Sequence, residues 1–434
     1  MEKSSADRMS FPPVVILGAG PAGSTLAALL AEQNIPVVVF DDEKRPDLLV
    51  GESLVPAVIP ILRTLGIEDR VAAISRYKPG TSFIHREELE MHFNFRSVEG
   101  LLPTYAYNVP RPQFDDLIRE RARELGARFV MCRASLKAKP GDENHELVLD
   151  DACLAAAGLN AQPVFIVDAA GRARISARTL GIAAKTGSRR DQAHFAHYEN
   201  FDHPFPEGQV VITYHEFGWS WRIPLADRMS FGVVICADQA ERWGTSGKER
   251  LARILAEEPR LASTSKLARR VTEVFTYSNY QLISERGHGP GWVAIGDAFG
   301  FVDPMLSPGV FLAMEAAVSV AEVVIRGGLH GAASLGRGLE KQERDMREWI
   351  TAWKELIDYF YDGRIANFYI AGNEMMRKHP GIISNFMQRN IERRLASMAS
   401  GGTTRSTWNR HFLTHSIKWL TTPSHSAKYA VPGS

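Results

Sequence analysis

The chain of 434 residues is long enough for two or three folding units around a large buried core. Its 51 Lys and Arg balance 50 Asp and Glu, so no global field favours nucleic acid or an anionic membrane surface. With 45% hydrophobic and 23% charged residues it reads as an ordinary globular protein, which excludes collagen-like, coiled-coil and disordered classes.

The opening Met1 to Phe11 is polar and lacks the charged, apolar and small-residue segments of a signal peptide. Val14 to Leu17 then reads as a buried parallel strand, Ser24 to Gln33 as a helix packed closely on a sheet, and Val37 to Phe40 as a second strand, together a right-handed βαβ unit. The β-branched and aromatic runs Ser82 to His85, Met91 to Phe95, Gln209 to Tyr214 and Phe231 to Cys236 predict a mostly antiparallel sheet roofing this nucleotide domain. A helix over Gln113 to Leu125 and strands over Val164 to Val167 and Trp292 to Ile295 return the chain to it. The expected fold class is therefore α/β: a doubly wound parallel sheet in a discontinuous Rossmann-like domain (12–79, 111–189 and 286–330), an antiparallel substrate-side sheet (80–110 and 190–285) and a C-terminal helical region (331–434).

Gly309 to Ile325 is the most apolar long stretch, but Glu315 and Glu322 interrupt it and it falls short of a membrane span. Leu339 to Phe360 reads as an amphipathic helix, and the tail after Ser400, with Gly401, Gly402, Thr403, Thr404, Pro423 and Ser424, as loosely held. Cys132, Cys153 and Cys236 have no paired spacing, so neither a disulfide framework nor a metal site is expected, and the expected setting is cytoplasmic.

Gly18-Ala19-Gly20-Pro21-Ala22-Gly23 has the GxGxxG spacing directly after a predicted strand and at the opening of a helix. Glycine serves there for a tight turn, for close approach of backbone to a pyrophosphate and for close helix-strand packing. Asp41 follows 23 residues after Gly18, at the end of the second strand, where a carboxylate accepts ribose hydroxyls. Gly296-Asp297-Ala298 resembles the distal FAD motif of flavoprotein hydroxylases, whose aspartate binds the ribityl chain, and this resemblance selects FAD over NAD. Arg111-Pro112-Gln113-Phe114-Asp115 is similar to the helix that brings an arginine to the cofactor, Asp168-Ala169-Ala170-Gly171-Arg172 to the turn after a strand, and Gly51-Glu52-Ser53 to the turn near the isoalloxazine ring. Plainer roles stay open, with Asp168 capping a turn and Arg111 pairing on the surface.

Trp219-Ser220-Trp221-Arg222-Ile223-Pro224 matches the WxWxIP motif of flavin-dependent halogenases at every fixed position, although tryptophans two apart share one strand face and can also simply fill a core. Phe301-Val302-Asp303-Pro304-Met305-Leu306-Ser307-Pro308-Gly309 fits the same family's FxxPxxSxG pattern. Lys78, in Tyr77-Lys78-Pro79-Gly80, follows the Gly51-Glu52-Ser53 turn by about 25 residues, as the catalytic lysine of these enzymes does; alone, a loop lysine is a solvated charge. On these motifs the chain resembles the flavin-dependent halogenases. The resemblance implies a cofactor site of Gly18, Gly20, Ala22, Gly23, Asp41, Glu52, Ser53, Arg111, Asp297, Pro304 and Gly309, and a halide site of Ser307, Pro308 and Gly309. It implies a tunnel of Trp219, Trp221, Ile223, Pro224 and Phe301 that passes halide and holds organic substrate away from the flavin. Lys78 then holds or carries electrophilic halogen from hypohalous acid to an aromatic carbon. A separate flavin reductase is implied as partner, since there is no second GxGxxG for a nicotinamide.

Tryptophan halogenases carry a glutamate just before the loop serine, where this chain has Leu306. Phenols and pyrroles, activated by their own heteroatom, do not need that acid, so a small phenolic or pyrrolic substrate is expected, free or on an acyl or peptidyl carrier protein. Pro308 stands where those relatives offer a backbone N–H to chloride, and proline has none. Competing readings are an FAD-dependent aromatic hydroxylase of the same fold, a flavin-dependent reductase of isoprenoid double bonds, and a flavin-binding module without turnover. Tyr214, His215 and Glu216, just before the tryptophan motif, are placed to act on substrate protons but read better as strand-end polar groups, and Trp349, Trp353, Tyr359, Phe360 and Tyr361 either wall a substrate pocket or, the better reading, fill helical core.

Overall fold

Four consecutive branched apolar residues, Val14–Leu17, leave no face for water, and such a strand is stable only when covered on both sides. The computed structural model describes residues 12–42, 48–85, 89–97, 102–139, 145–278, 281–329 and 332–378, with short pieces between 393 and 432. In it this strand is central to a sheet ordered Trp292–Ala294, Phe165–Asp168, Val14–Leu17, Val37–Asp41, Arg128–Met131, all parallel, with His288–Gly289 antiparallel at one edge. The chain leaves Val14–Leu17 toward Val37–Asp41 and later returns on the opposite side at Phe165–Asp168, so the switch point of the sheet lies between the first strand and Phe165–Asp168. The turns at those strand ends touch: a Cβ on Gly18, whose φ is +100°, would lie 2.6 Å from the Ala169 carbonyl oxygen.

Helix Pro21–Glu32 starts three residues earlier than the sequence reading, because Pro21 takes a first-turn position where its missing N–H costs nothing. Every residue from Ala22 to Ala31 is buried, packed between helices Arg111–Glu124 and Pro308–Gly327. By length and composition Pro308–Gly327 could cross a membrane, further than the sequence reading allowed, yet 56% of its apolar window is buried within the fold and Glu315 is buried with it.

A second sheet is ordered Arg269–Arg270, Asp191–Glu199, Met229–Cys236, Gly218–Pro224, Val210–His215, Gly80–His85, Leu89–Asn94, with Phe275–Ser278 also paired to Asp191–Glu199. It is antiparallel except for the parallel pair Val210–His215 and Gly80–His85. The fold is thus a mixed α/β one, with helices Ala332–Tyr361 and Arg364–Lys378 closing it. The three cysteines are free thiols.

Met1 to Phe11 and, in the tail, Thr403, Thr404, Pro423 and Ser424 lie outside the described residues. What is described of the tail is tied down, contrary to its composition: Gly401 and Tyr429 are buried, the Ala57 N–H donates to the Ser400 carbonyl at 3.0 Å, and the Val431 N–H to that of Tyr361 at 2.7 Å. These partners are far away in sequence, which is why local composition gives no sign of them.

At Gly23 a Cβ would lie 2.0 Å from the Gly18 carbonyl oxygen. Gly23→Ala therefore forces the helix off the glycine turn, and a loss of about 1–3 kcal/mol is expected, read as a lowered melting temperature; a variant melting with the parent would contradict this contact.

Candidate active site

A cavity of about 530 Å³ opens where the carboxyl ends of the parallel strands meet the second sheet. Its floor includes Gly20, Ala22, Ala170 and Asp297, its roof Phe195, Ile212, Trp219 and Trp221. Gly20 shows what the cavity is shaped for. A Cβ there would meet no protein atom within 4 Å, so packing does not demand a glycine, whereas a pyrophosphate approaching the backbone at a helix N-terminus does. Gly18 and Gly23 stand behind the lining, where their role is steric. Asp41 lies buried at its strand end beside Phe40, whose carbonyl accepts the Gly18 N–H at 2.8 Å.

Arg111 is buried, not on the surface: its Nε and Nη2 donate to the two Asp115 carboxylate oxygens at 3.0 and 3.1 Å, its Nη1 to the Val50 carbonyl, and the group fronts the cavity. Gly51, at φ +98°, leaves it room, since a Cβ would lie 2.7 Å from Nη1. Across the cavity, burial pushes the Asp297 carboxyl up to about 6 against the opposing pull of Arg111 and Arg172. A glycine cradle, a rigid cationic fork and a carboxylate suited to hydroxyl donors fit FAD, and Gly20, Ala22, Glu52, Arg111, Asp297, Pro304 and Gly309 all line the space. Asp168 takes the plainer role. Its carboxylate accepts the Ser176 N–H and hydroxyl at 2.6 Å each and the Ala170 N–H at 3.1 Å, so it caps the turn.

Trp219 and Trp221 project from strand Gly218–Pro224 into the cavity, ring centroids 5.8 Å apart. Gly232 is directly opposite Trp221, and any Cβ there would lie 2.2 Å from the indole. The Trp221 Nε1 donates to the Ser230 hydroxyl at 3.3 Å and that of Trp219 to the Tyr361 hydroxyl at 3.0 Å. Ile223 and Phe301 also line the cavity; Pro224 lies outside it, its carbonyl accepting the Asn108 Nδ2 at 3.0 Å.

In the loop before helix Pro308–Gly327, Leu306 (φ +67°) and Ser307 (φ +59°) are both left-handed, at about 1–3 kcal/mol each. The Ser307 N–H is committed to the Pro304 carbonyl at 3.0 Å, and Pro308 has none and lies outside the lining. Ser307 and Gly309 remain on the cavity, where the first-turn N–H groups of the helix lack intrahelical acceptors. The first and last residues of FxxPxxSxG touch here: a Cβ on Gly309 would lie 2.9 Å from the Phe301 ring.

Lys78, on strand Arg76–Lys78, is 3% exposed. Its Nζ donates to the Ser53 hydroxyl at 2.7 Å and the Leu54 carbonyl at 2.9 Å, and stands 5.2 Å from the Phe95 ring centroid. With no carboxylate bonded to it, burial lowers the amine to about 7. Lys78 is not itself on the lining; it sits behind the turn whose Glu52 is.

Sequence reasoning missed four residues in three places. His197 reaches from strand Asp191–Glu199 to Glu52, Nε2 to Oε1 2.7 Å, and its alternation with the cavity residues Ala193 and Phe195 was the available signal. Asp303 and Tyr361 form the second case: the Tyr361 hydroxyl donates to the Asp303 carboxylate at 3.2 and 3.3 Å, so a residue read as core also reaches the loop. Gly232, a mid-strand glycine, is the third. His215 is structural, bonded to Ser220 at 2.8 Å and stacked on Phe217. Among the described residues no group of His, Cys, Asp and Glu is arranged to hold a metal.

The pattern of the family described as Tryptophan halogenase matches residues 13–102 and 98–421. The tryptophan 2-halogenase of Chondromyces crocatus is 27% identical over 404 residues, spanning 90% of this chain and 76% of that one. A 1H-pyrrole-2-carbonyl-[peptidyl-carrier protein] chlorinase of Pseudomonas fluorescens is 27% identical over 378 residues, 80% of this chain and 83% of its own. The solved structure of the flavin-dependent brominase Bmp2 superposes with a TM-score of 0.75 at 24% identity, covering 94% of this chain and 99% of that one, a likeness of fold. The chain therefore belongs to the tryptophan halogenase family, and is a flavin-dependent halogenase, an FAD-dependent oxidoreductase that uses chloride or bromide.

Proposed function

We propose that the protein halogenates an electron-rich phenol or pyrrole, free or tethered to a carrier protein, through hypohalous acid formed in the cavity and delivered by Lys78. The observation that carries this reading is the desolvated amine of Lys78, held by Ser53 one residue behind Glu52 on the cavity wall. Bound FAD, reduced and meeting oxygen, supplies the oxidising equivalents that turn halide into hypohalous acid. Trp219 and Trp221 exclude an aromatic ring from the cavity roof, and Ser307 and Gly309 offer a hydroxyl and an N–H to halide. The neutral Lys78 amine attacks the halogen of hypohalous acid: an N–halogen bond forms, the O–halogen bond breaks, and hydroxide leaves with the amine proton as water. Attack by the ring carbon on that halogen restores the amine, which takes the ring proton. A separate flavin reductase in the cytoplasm supplies the reduced cofactor in this reading.

Leu306 supports the substrate class. The position before Ser307 is apolar, where the tryptophan halogenases carry a glutamate. The relatives include both a chlorinase of a pyrrole-2-carbonyl carrier protein and a tryptophan 2-halogenase at equal identity, so the choice of a phenol or pyrrole over tryptophan rests on Leu306.

Three outcomes check this. Lys78→Ala is expected to lower product formation by at least about 100-fold, within the range general for loss of such a group, while flavin oxidation continues; undiminished halogenation would remove the lysine from the mechanism. In the parent, the deprotonated fraction of a group near 7 rises about tenfold from pH 6 to pH 8, so product per flavin oxidised rises with it, whereas a falling ratio would assign the step to the ammonium. With a reductase, FAD and bromide, the protein is expected to give bromine isotope doublets in mass spectra of phenols or pyrroles, free or carrier-loaded, and none with tryptophan; bromotryptophan as the main product would overturn the substrate class.

A further inference from the structure

The loop Phe301–Gly309 and the tryptophan barrier belong to different elements, yet one hydroxyl joins them. Tyr361, the last residue of helix Ala332–Tyr361, is buried and accepts the Trp219 Nε1–H at 3.0 Å while donating to Asp303 at 3.2 and 3.3 Å. Asp303, 1% exposed, also accepts the Met305 N–H at 2.9 Å, immediately before the left-handed pair Leu306 and Ser307. The ring of Tyr361 is fixed independently of its hydroxyl: the Arg189 guanidinium lies 3.8 Å from its centroid and is itself bonded to Asp191 at 2.7 Å, and its carbonyl accepts the Val431 N–H.

Indole N–H is a donor only, and a buried one without an acceptor loses its solvation. Two adjacent non-glycine residues in the left-handed region persist only where their surroundings over-determine them. Both needs are met at the same phenol. We infer that Tyr361 and Asp303 are positioning residues that hold the halide loop and the Trp219 indole in one register, so that the Ser307 and Gly309 groups facing the cavity are assembled only while the barrier is closed. This rests on the halogenase reading above and adds to it what couples oxidant formation to halide capture. When the register slips, the cavity no longer holds halide beside the oxidant, and reduced flavin and oxygen return oxidised flavin and hydrogen peroxide instead.

Tyr361→Phe keeps the ring over Arg189 and removes both hydroxyl bonds; Asp303→Asn perturbs the same clamp from the loop side. Each holoprotein is titrated with bromide, following the visible spectrum of bound oxidised FAD, and assayed for product and peroxide per flavin oxidised. In both variants the bromide dissociation constant is expected to rise at least tenfold, with peroxide replacing halogenated product, FAD affinity within twofold of the parent and an unchanged rate of flavin oxidation. The double variant is expected to be no worse than Tyr361→Phe alone, since the clamp acts as a unit. Unchanged bromide affinity and product ratio in both variants, with or without a lower melting temperature, would overturn the inference. Weakened bromide binding in variants of a parent that makes no halogenated product would instead leave the positioning role standing and remove the reaction assigned to it.

Discussion

Trp221 lies against the backbone of Gly232, and Trp219 stands beside it with its N–H tied to Tyr361. Trp221 fits the inner face of the second sheet only because the facing strand carries no side chain at its register, whereas Trp219 is opposite Val234. Without the glycine, Trp221 would be pushed into the cavity or out of the sheet, and the roof would lose the bulk that decides which molecules reach the floor. The cavity below follows from this ceiling and from the close turn contact of Gly18 with Ala169 at the switch point. Between these two constraints lies a space bounded by apolar rings above and by backbone and charged groups beneath.

The charged groups are graded by their partners. Arg111 is buried with a two-pronged carboxylate partner in Asp115, which keeps a cation at the cavity wall at all working pH values. Lys78 is equally buried but has only a hydroxyl and a carbonyl, neither of which offsets desolvation of a charge, so its amine falls to about 7. One cation thus stays charged on the wall of the cavity, and the other loses its proton near neutrality. Asp303 shows the converse for a carboxyl, pushed up to about 7 by burial inside the loop. The contrast between the two cations is a division of labour that composition alone, with nearly equal acid and base, does not reveal.

Much of this was legible in the residues. The glycine turn, the strand before it and the apolar helix after it follow from local chemistry, and the GxGxxG, WxWxIP and FxxPxxSxG runs carry their own spacing. Local patterns also gave the strand at Trp292 and the helix at Arg111, within a residue or two. What was hidden depends on contacts between distant segments. His197 meets Glu52 across 145 residues, Tyr361 meets Trp219 across 142, and Gly232 matters only through the register of two strands. The tail around Ser400 and Val431 looked loose because its partners, Ala57 and Tyr361, are supplied by other parts of the fold. Helix Pro308–Gly327 shows the same limit from the other side, since burial of Glu315 inside the fold turns an apparent interruption into a core position.

In the proposed reaction the oxidant is made in the cavity under the two indoles and is used by the Lys78 amine behind the Ser53–Leu54 turn. Its most direct test is a crystal structure with FAD and bromide, collected at the bromine absorption edge. An anomalous peak is expected in the cavity beside Ser307 and the Gly309 N–H, with the flavin ring under Trp219 and Trp221 and the Lys78 amine still held by Ser53 and Leu54. A flavin ring in open contact with a soaked phenol, or bromide held away from that loop, would contradict it.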